Sequence, residues 1–459
     1  MSSDASSPKR PGRSVVRAPR ALLARARADS LTRNSVYIMT TTVVNSAIGA
    51  AFWLVAARTF STQAVGLGAA LIAAMTLAAT ISTFGTGPTL IQVLPTKQAG
   101  EDWSRTFNAC MGAALGAAVV AAGIALILLP LLSPGFLVVR ENAYQVVIAC
   151  GIVFWAAATI FDYAFVAERA AGGMLARNAT AAVLKLAIML CLVALGAESS
   201  LGIVSAVTVS TAGALALAAA VLLPGLRKGY RPQVRGVAGE ARRLLSPFVG
   251  HSLITVGGIL PMYALPLIVT ARLSATDNAY FYTTWMLCNV LFMVSPAVAG
   301  ALFAEGSHAG ESLYQKARSS ALLIAALLAV PMVVLLLGGS FILGLFGSAY
   351  AQNSHALLVL LAVSAVPDAV TNIYTSVLRV ERRFGAAATL NMGMGLGAIV
   401  LAWWLLPLVG VAGAGLAWLS VQVAGSVAVA IDLRLRRGVL DGGDGTPAGL
   451  KSSSPPPAL

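Results

Sequence analysis

Twelve apolar stretches, each close to the length a helix needs to cross a bilayer, divide this sequence: 35–57, 65–85, 107–132, 144–165, 178–196, 201–224, 247–270, 279–303, 320–343, 356–378, 386–409 and 411–432. About 20 apolar residues cover the hydrocarbon core, and inside it each backbone polar group must pair within its own segment, so helix is the expected state of each run. Composition agrees: 58% of the residues are hydrophobic and 10% charged, against about a quarter charged in soluble domains. A water-soluble enzyme, a disordered chain and a fibrous one are excluded. The first run begins at Ser35 and others follow at once, which reads as a retained helix and not a cleaved signal peptide.

Net charge is +14, and its placement matters more than its size. With residues 1–34 on the cytoplasmic side, alternate connectors join them, and that side collects 27 of the 31 lysines and arginines. Arg58, Arg140 and Arg272 fall opposite, and Lys185 is left inside a span. Such asymmetry is the positive-inside signature with both termini cytoplasmic. Basicity here is a topology signal; nucleic-acid binding is not expected, because no recognition motif accompanies it. The four cysteines (Cys110, Cys150, Cys191, Cys288) lie within predicted helices without CxxC spacing, so neither disulfides nor metal binding are expected.

A shift of 213 positions aligns rare polar residues without a gap: Ser61 with Ser274, Ser82 with Ser295, Gly87 with Gly300, Arg105 with Arg318, and 168-ERAAGGMLARN-178 with 381-ERRFGAAATLN-391. An even number of spans per copy gives both copies one orientation, a parallel repeat about an axis along the membrane normal. The expected organisation is a basic cytoplasmic tail (1–34), an N-lobe of helices 1–6 (35–224), a basic connector (225–246), a C-lobe of helices 7–12 (247–433) and a disordered cytoplasmic tail (434–459). Two lobes facing a central cavity bind substrate between them and alternate access by rocking.

The loop between helices 2 and 3, LPTKQAGEDWSR, lacks the G-x-x-x-D-R-x-G-R pattern of major-facilitator carriers. By contrast 57-ARTFSTQAVGLGAALIAAMTLAATISTFG-85, 301-ALFAEGSH-308, 343-LGLFGSAYAQ-352 and 409-VGVAGAGLAWL-419 resemble the polysaccharide (O-antigen-type) flippase branch of the multidrug/oligosaccharidyl-lipid/polysaccharide exporter superfamily. That resemblance, spanning about 35–433, implies an all-α polytopic membrane protein of MATE-like transporter fold. It implies a flippase that carries a polyprenyl diphosphate-linked oligosaccharide from the cytoplasmic to the outer leaflet of a bacterial cytoplasmic membrane. Its partners would be that lipid-linked glycan, membrane lipids and polysaccharide polymerase or export machinery.

Ionisable groups near a bilayer's centre cost about 2.5–3.5 kcal/mol on insertion scales and usually face a cavity or a partner. Lys185, eight residues into its span, is either a cationic anchor for a diphosphate or a lysine that snorkels or pairs with an interior carbonyl. Asp368, beside Pro367, is either a proton or cation carrier or gate, or a cap on a proline break. Asp162 and His251 lie one turn from helix ends, where interfacial water is in reach. Arg33, Arg177 and Arg379 form either an entrance for an anionic headgroup or positive-inside anchors. Tyr37, Thr41 and Asn45 share one face of helix 1 by their spacing of four; with Ser252, Thr255 and Tyr263 on helix 7 and Thr283, Thr284 and Asn289 on helix 8, they either bond sugar hydroxyls or bond helix to helix. The Glu168-Arg169 and Glu381-Arg382 pairs look like ion-paired loop ends.

No Walker loop or HExxH is present, and 393-GMGLG-397 falls within a helix, where it is a packing face and not a dinucleotide loop. No catalysis and no cofactor are therefore expected. The principal alternative is a cation-coupled multidrug exporter of the MATE type. Many of those carry an acidic residue in helix 1, where this chain has Thr40, Thr41, Thr42 and Asn45. A lipid II flippase of the same superfamily typically has fourteen spans, and a polymerase subunit would need a sizeable outer loop.

Overall fold

The computed structural model describes residues 30–97, 100–227, 229–232, 239, 249–306 and 313–441. Most of the basic N-terminal tail, most of the connector between the two halves and the C-terminal tail lie outside them, as does the side chain of His251. All regular structure among the described residues is helical. Twelve long helices run in order: α1 Ser30–Thr59, α2 Thr62–Ser82, α3 Gly100–Leu132, α4 Asn142–Ala167, α5 Ala171–Ala194 and α6 Ser200–Leu226. The second half holds α7 Val249–Arg272, α8 Ala275–Gly306, α9 Leu313–Gly344, α10 Ser348–Val380, α11 Phe384–Val409 and α12 Ala412–Asp441. Eleven are long and apolar enough to cross a membrane over their described residues, and α7 contributes a shorter apolar segment, Gly257–Arg272.

Several helices overrun the apolar runs that announce them. α3 starts at Gly100 and not near 107, with Glu101 and Asp102 in its first turn, where acidic side chains oppose the helix dipole favourably. Polar connectors here are helix ends.

The repeat is written into the backbone. Ser61 and Ser274 are matching N-caps: the Ser61 hydroxyl accepts from the Ala64 amide at 3.2 Å and the Ser274 hydroxyl from the Asp277 amide at 3.0 Å. At the α4–α5 turn the amides of Glu168, Arg169 and Ala170 donate to the carbonyls of Ala164, Val166 and Phe165. At the α10–α11 turn Glu381, Arg382 and Arg383 donate to Val377, Arg379 and Leu378, each pair 213 residues on. Arg169 (φ 54°) and Arg382 (φ 59°) both adopt the left-handed conformation, normally given to glycine or asparagine at a helix C-terminus. The glutamates beside them diverge: Glu168 accepts from the Trp103 indole at 2.8 Å, while Glu381 pairs with Arg436 at 2.7 Å.

Each half packs its helices in the same neighbour pattern, α1 on α5 as α7 on α11, and α4 on α6 as α10 on α12. The small-residue face of α11 is used here: a Cβ on Gly395 would stand 2.4 Å from the Gly257 carbonyl oxygen. The halves meet chiefly through α2, which packs on α7 and α8. Their tightest contacts lie at the end that carries the α1–α2 and α7–α8 turns. There the Asn278 amide donates to the Gly66 carbonyl at 2.7 Å, Trp53 meets Tyr282 with ring centroids 4.7 Å apart, and Arg58 Nε donates to the Leu345 carbonyl at 2.5 Å. Toward the opposite end of α1, Val36, Met39 and Val43 are exposed.

Candidate functional site

Each half encloses a polar cavity, and the two are built from the same five helix positions. The N-lobe cavity, about 360 Å³, is walled by α1, α2, α4, α5 and α6, with Tyr282 reaching in from α8. The C-lobe cavity, about 390 Å³, is walled by α7, α8, α10, α11 and α12. Helices α3 and α9 are excluded from both. Lining residues repeat at the 213 offset, Thr159 with Asn372, Asp162 with Thr375 and Asn178 with Asn391.

In the N-lobe cavity Arg177, Asn178, Ala181, Ala182 and Lys185 form one face of α5, as their spacing of one and four residues requires. Arg177 is buried and clamps the Asp162 carboxylate with two bonds, Nε to Oδ1 at 2.8 Å and Nη2 to Oδ2 at 2.5 Å. Asn178 donates to both Asp162 oxygens and accepts from Asn45 at 3.2 Å. With Asp162 neutralised by Arg177, Lys185 supplies the cavity's net positive charge. Its Nζ lies 5.0 Å from the centroid of the Phe52 ring, a cation–π contact, and among the described residues it makes no ion pair. Trp53, Trp155 and Tyr282 add aromatic wall, and Thr159, Ser210 and Thr211 add hydroxyls.

The C-lobe cavity carries the other intramembrane carboxylate. Asp368 is buried; its Oδ1 accepts from Gln422 at 3.1 Å, Gln422 in turn accepts from Thr371 at 3.1 Å, and Oδ2 has no hydrogen-bond partner. The Pro367 carbonyl beside it accepts from the Ser426 hydroxyl at 3.1 Å. Arg379 also lines this cavity, with a buried, unbonded Nε. Asn289 lines both this cavity and a cleft of about 110 Å³ between the halves, shared with Tyr263 and Tyr282.

Of the residues singled out from the sequence, Lys185 and Asn45 fall in the N-lobe cavity and Asp368, Asn289 and Arg379 in the C-lobe cavity. Two expectations need correction. Arg177 is no rim anchor or headgroup entrance, since it is buried with its guanidinium committed to Asp162, whose side chain is one-fifth exposed. Tyr37 and Thr41 stop short of the cavity: Tyr37 is exposed beside Gly172 of α5, and the Thr41 hydroxyl bonds back to the Tyr37 carbonyl at 2.8 Å. Arg33 is exposed on the first turn of α1, and the side chain of His251 is outside the described residues. Sequence reasoning missed Trp155, Trp418 and Gln422. A glutamine in so apolar a span was the available signal.

No family model and no curated protein matches the sequence. Solved structures do match, at full length and low identity. An inward-facing multidrug-resistance MATE-family transporter of the MOP superfamily superposes with TM-score 0.67 at 14% identity, covering 87% of this chain and 96% of its own. Lipid II flippase MurJ in an inward closed conformation gives 0.67 at 11% identity, covering 87% of each chain. An outward-facing MATE transporter gives 0.56 at 13% identity, covering 90% of this chain and 96% of its own. With twelve long helices among the described residues, two six-helix lobes and a cavity in each, the chain has the MATE-like transporter fold.

Proposed function

We propose that the chain is a flippase for a lipid-linked oligosaccharide, moving a polyprenyl diphosphate-borne glycan from the cytoplasmic to the outer leaflet by alternating access between its lobes. The observation that carries this reading is Lys185, an intramembrane cation whose cavity has spent its one carboxylate on Arg177. A cavity so balanced favours an anion, and the surrounding amides, hydroxyls and aromatic faces suit the first sugars. With both termini cytoplasmic, the tight contact between Gly66 and Asn278 closes the lobes on the outer side, opposite the leaflet where such a substrate is made. The likeness to an inward-facing transporter, at a TM-score of 0.67 against 0.56 for an outward-facing one, supports closure on the outer side. A bacterial cytoplasmic membrane and polysaccharide polymerase or export machinery as partners belong to this reading.

Lys185→Ala removes a charge-assisted bond to phosphate worth about 1.5–3 kcal/mol, so flipping of a polyprenyl diphosphate glycan in proteoliposomes falls about 10–100-fold while insertion is unchanged. Unchanged flipping removes Lys185 from the mechanism. Deletion of the gene leaves lipid-linked oligosaccharide on the cytoplasmic leaflet; no accumulation, with raised sensitivity to cationic drugs, overturns the flippase. Asp368 favours that second reading, cation-coupled export, because a buried carboxylate with a free oxygen can take a proton.

A further inference from the structure

The two cavities differ in how fully their polar groups are used. In the N-lobe cavity no lining residue holds a buried polar side-chain atom without a partner, among the described residues. In the C-lobe cavity four lining residues do: Nε1 of Trp285 and of Trp418, Oδ2 of Asp368 and Nε of Arg379. Trp285, Asp368 and Trp418 are each nine-tenths or more buried. Buried polar groups are rarely left unpaired, and the concentration of such groups in one cavity marks a surface shaped for something polar.

The free valences are mixed in sign. Three are N–H donors and one is a carboxylate acceptor. A phosphate is poorly matched, because Asp368 repels it. A bare cation is poorly matched too, because the two indole N–H groups and a guanidinium present positive hydrogens. A neutral polyol, whose hydroxyls donate and accept, satisfies all of them. The wall beside these groups is aromatic: Trp285, Phe292 and Trp418 meet with ring centroids 5.3–5.8 Å apart, a flat apolar surface of the kind on which the C–H face of a pyranose rests. The cavity volume, 390 Å³, lies within the range of about 300–1,000 Å³ occupied by small-molecule sites.

We propose that the C-lobe cavity binds one neutral sugar ring, held by Trp285, Asp368 and Trp418, apart from the cationic N-lobe cavity. The proposal rests on the flippase reading only in making that ring part of the transported glycan. Anion and sugar are then recognised in different lobes, and a substrate that spans both couples their movement.

The test uses the full chain in nanodiscs and saturation-transfer NMR with the methyl glycosides of glucose, galactose and N-acetylglucosamine. At least one glycoside gives ring-proton signals, reduced about fivefold or more in Trp418→Leu and in Asp368→Ala and retained in Tyr314→Ala on the exposed face of α9. Trp418→Phe keeps the aromatic face without the indole N–H, holds the fold, and gives an intermediate signal. Inorganic diphosphate leaves the signal in place. Loss of signal to diphosphate, displacement by tetraphenylphosphonium, or equal signals from wild type and both Trp418 variants overturns the proposal. Absence of any glycoside signal while lipid-linked oligosaccharide is still flipped removes this site and leaves the flippase reading. Glycoside signals without flipping do the reverse.

Discussion

Replacing Gly66 by alanine tests whether the observed closure of the lobes is one state of a two-state machine. A Cβ built on Gly66 stands 1.6 Å from the Ala275 carbonyl oxygen, 2.7 Å from its carbon and 2.8 Å from the Ala279 amide nitrogen, all backbone atoms. None of these can swing aside, so α2 and α8 must part by about 1.5–2 Å, the gap to ordinary van der Waals separation of roughly 3.5 Å. Overpacking of this kind costs about 1–3 kcal/mol. Parting the helices also stretches the 2.7 Å bond from Asn278 to the Gly66 carbonyl, a further loss of about 0.6 kcal/mol by the average for interhelical bonds in membranes. A total of about 2–4 kcal/mol is a shift of roughly 30- to 700-fold against this lobe arrangement. The contact exists between lobes and not within one, so the protein stays folded and changes population. Spin labels at Gln63 and Thr276, on the first turns of α2 and α8, read this directly: the wild type shows a short distance, and Gly66→Ala loses it to a longer one with transport impaired. Retention of the short distance with full transport would refute the argument that this crossing gates access.

Three further outcomes follow from local geometry. Asp162→Asn or Arg177→Leu breaks a buried ion pair and costs about 3–5 kcal/mol, read as a lowered unfolding temperature in detergent, with the double substitution recovering part of the loss; additivity would mean the two residues act independently. Ser61→Ala and Ser274→Ala each remove a helix N-cap worth about 1 kcal/mol, with Ser274 the larger effect because its hydroxyl also bonds Asp277 at 2.6 Å. Arg169→Gly and Arg382→Gly relieve a left-handed conformation that costs a non-glycine residue about 1–2 kcal/mol, so each raises the unfolding temperature unless the arginine side chain contributes more than the backbone loses.

The twelve helices were legible because a bilayer imposes a length that few other constraints impose, and the repeat was legible because rare polar residues recur at one offset. What escaped was pairing between neighbouring helices. Asp162 lies six residues, counted inclusively, from the end of α4, and Arg177 is the seventh residue of α5, across a turn of three residues. On antiparallel neighbours these are equal depths, so the pairing was available from depth alone, without any motif. The phase of α1 was not: spacing put Tyr37, Thr41 and Asn45 on one face, but where that face stops packing on α5 and starts bordering a cavity depends on tertiary contacts such as Tyr37 against Gly172. Left-handed arginines at 169 and 382 were hidden because the conformation ordinarily advertises itself by glycine.

Duplication supplied one scaffold, and a few substitutions gave its copies different chemistry. Lys185 corresponds at the 213 offset to Ala398, which is fully buried in the C-lobe core; a lysine there would have neither room nor water. The reason lies one helix away. Where α1 has Val44, α7 has Gly257 at the 213 offset, and a Cβ built there would stand 2.6 Å from the Met392 amide nitrogen. Glycine lets α7 and α11 meet backbone to backbone, while a valine at the matching position of α1 keeps α1 and α5 at side-chain distance and leaves space along α5 for a cation. In the C-lobe the charge sits instead on α10, where Asp368 takes the place that Trp155 holds in α4. Helix spacing thus decides which helix can carry a charged group, and the cationic cavity and the one of mixed charge are two outcomes of the same five-helix wall.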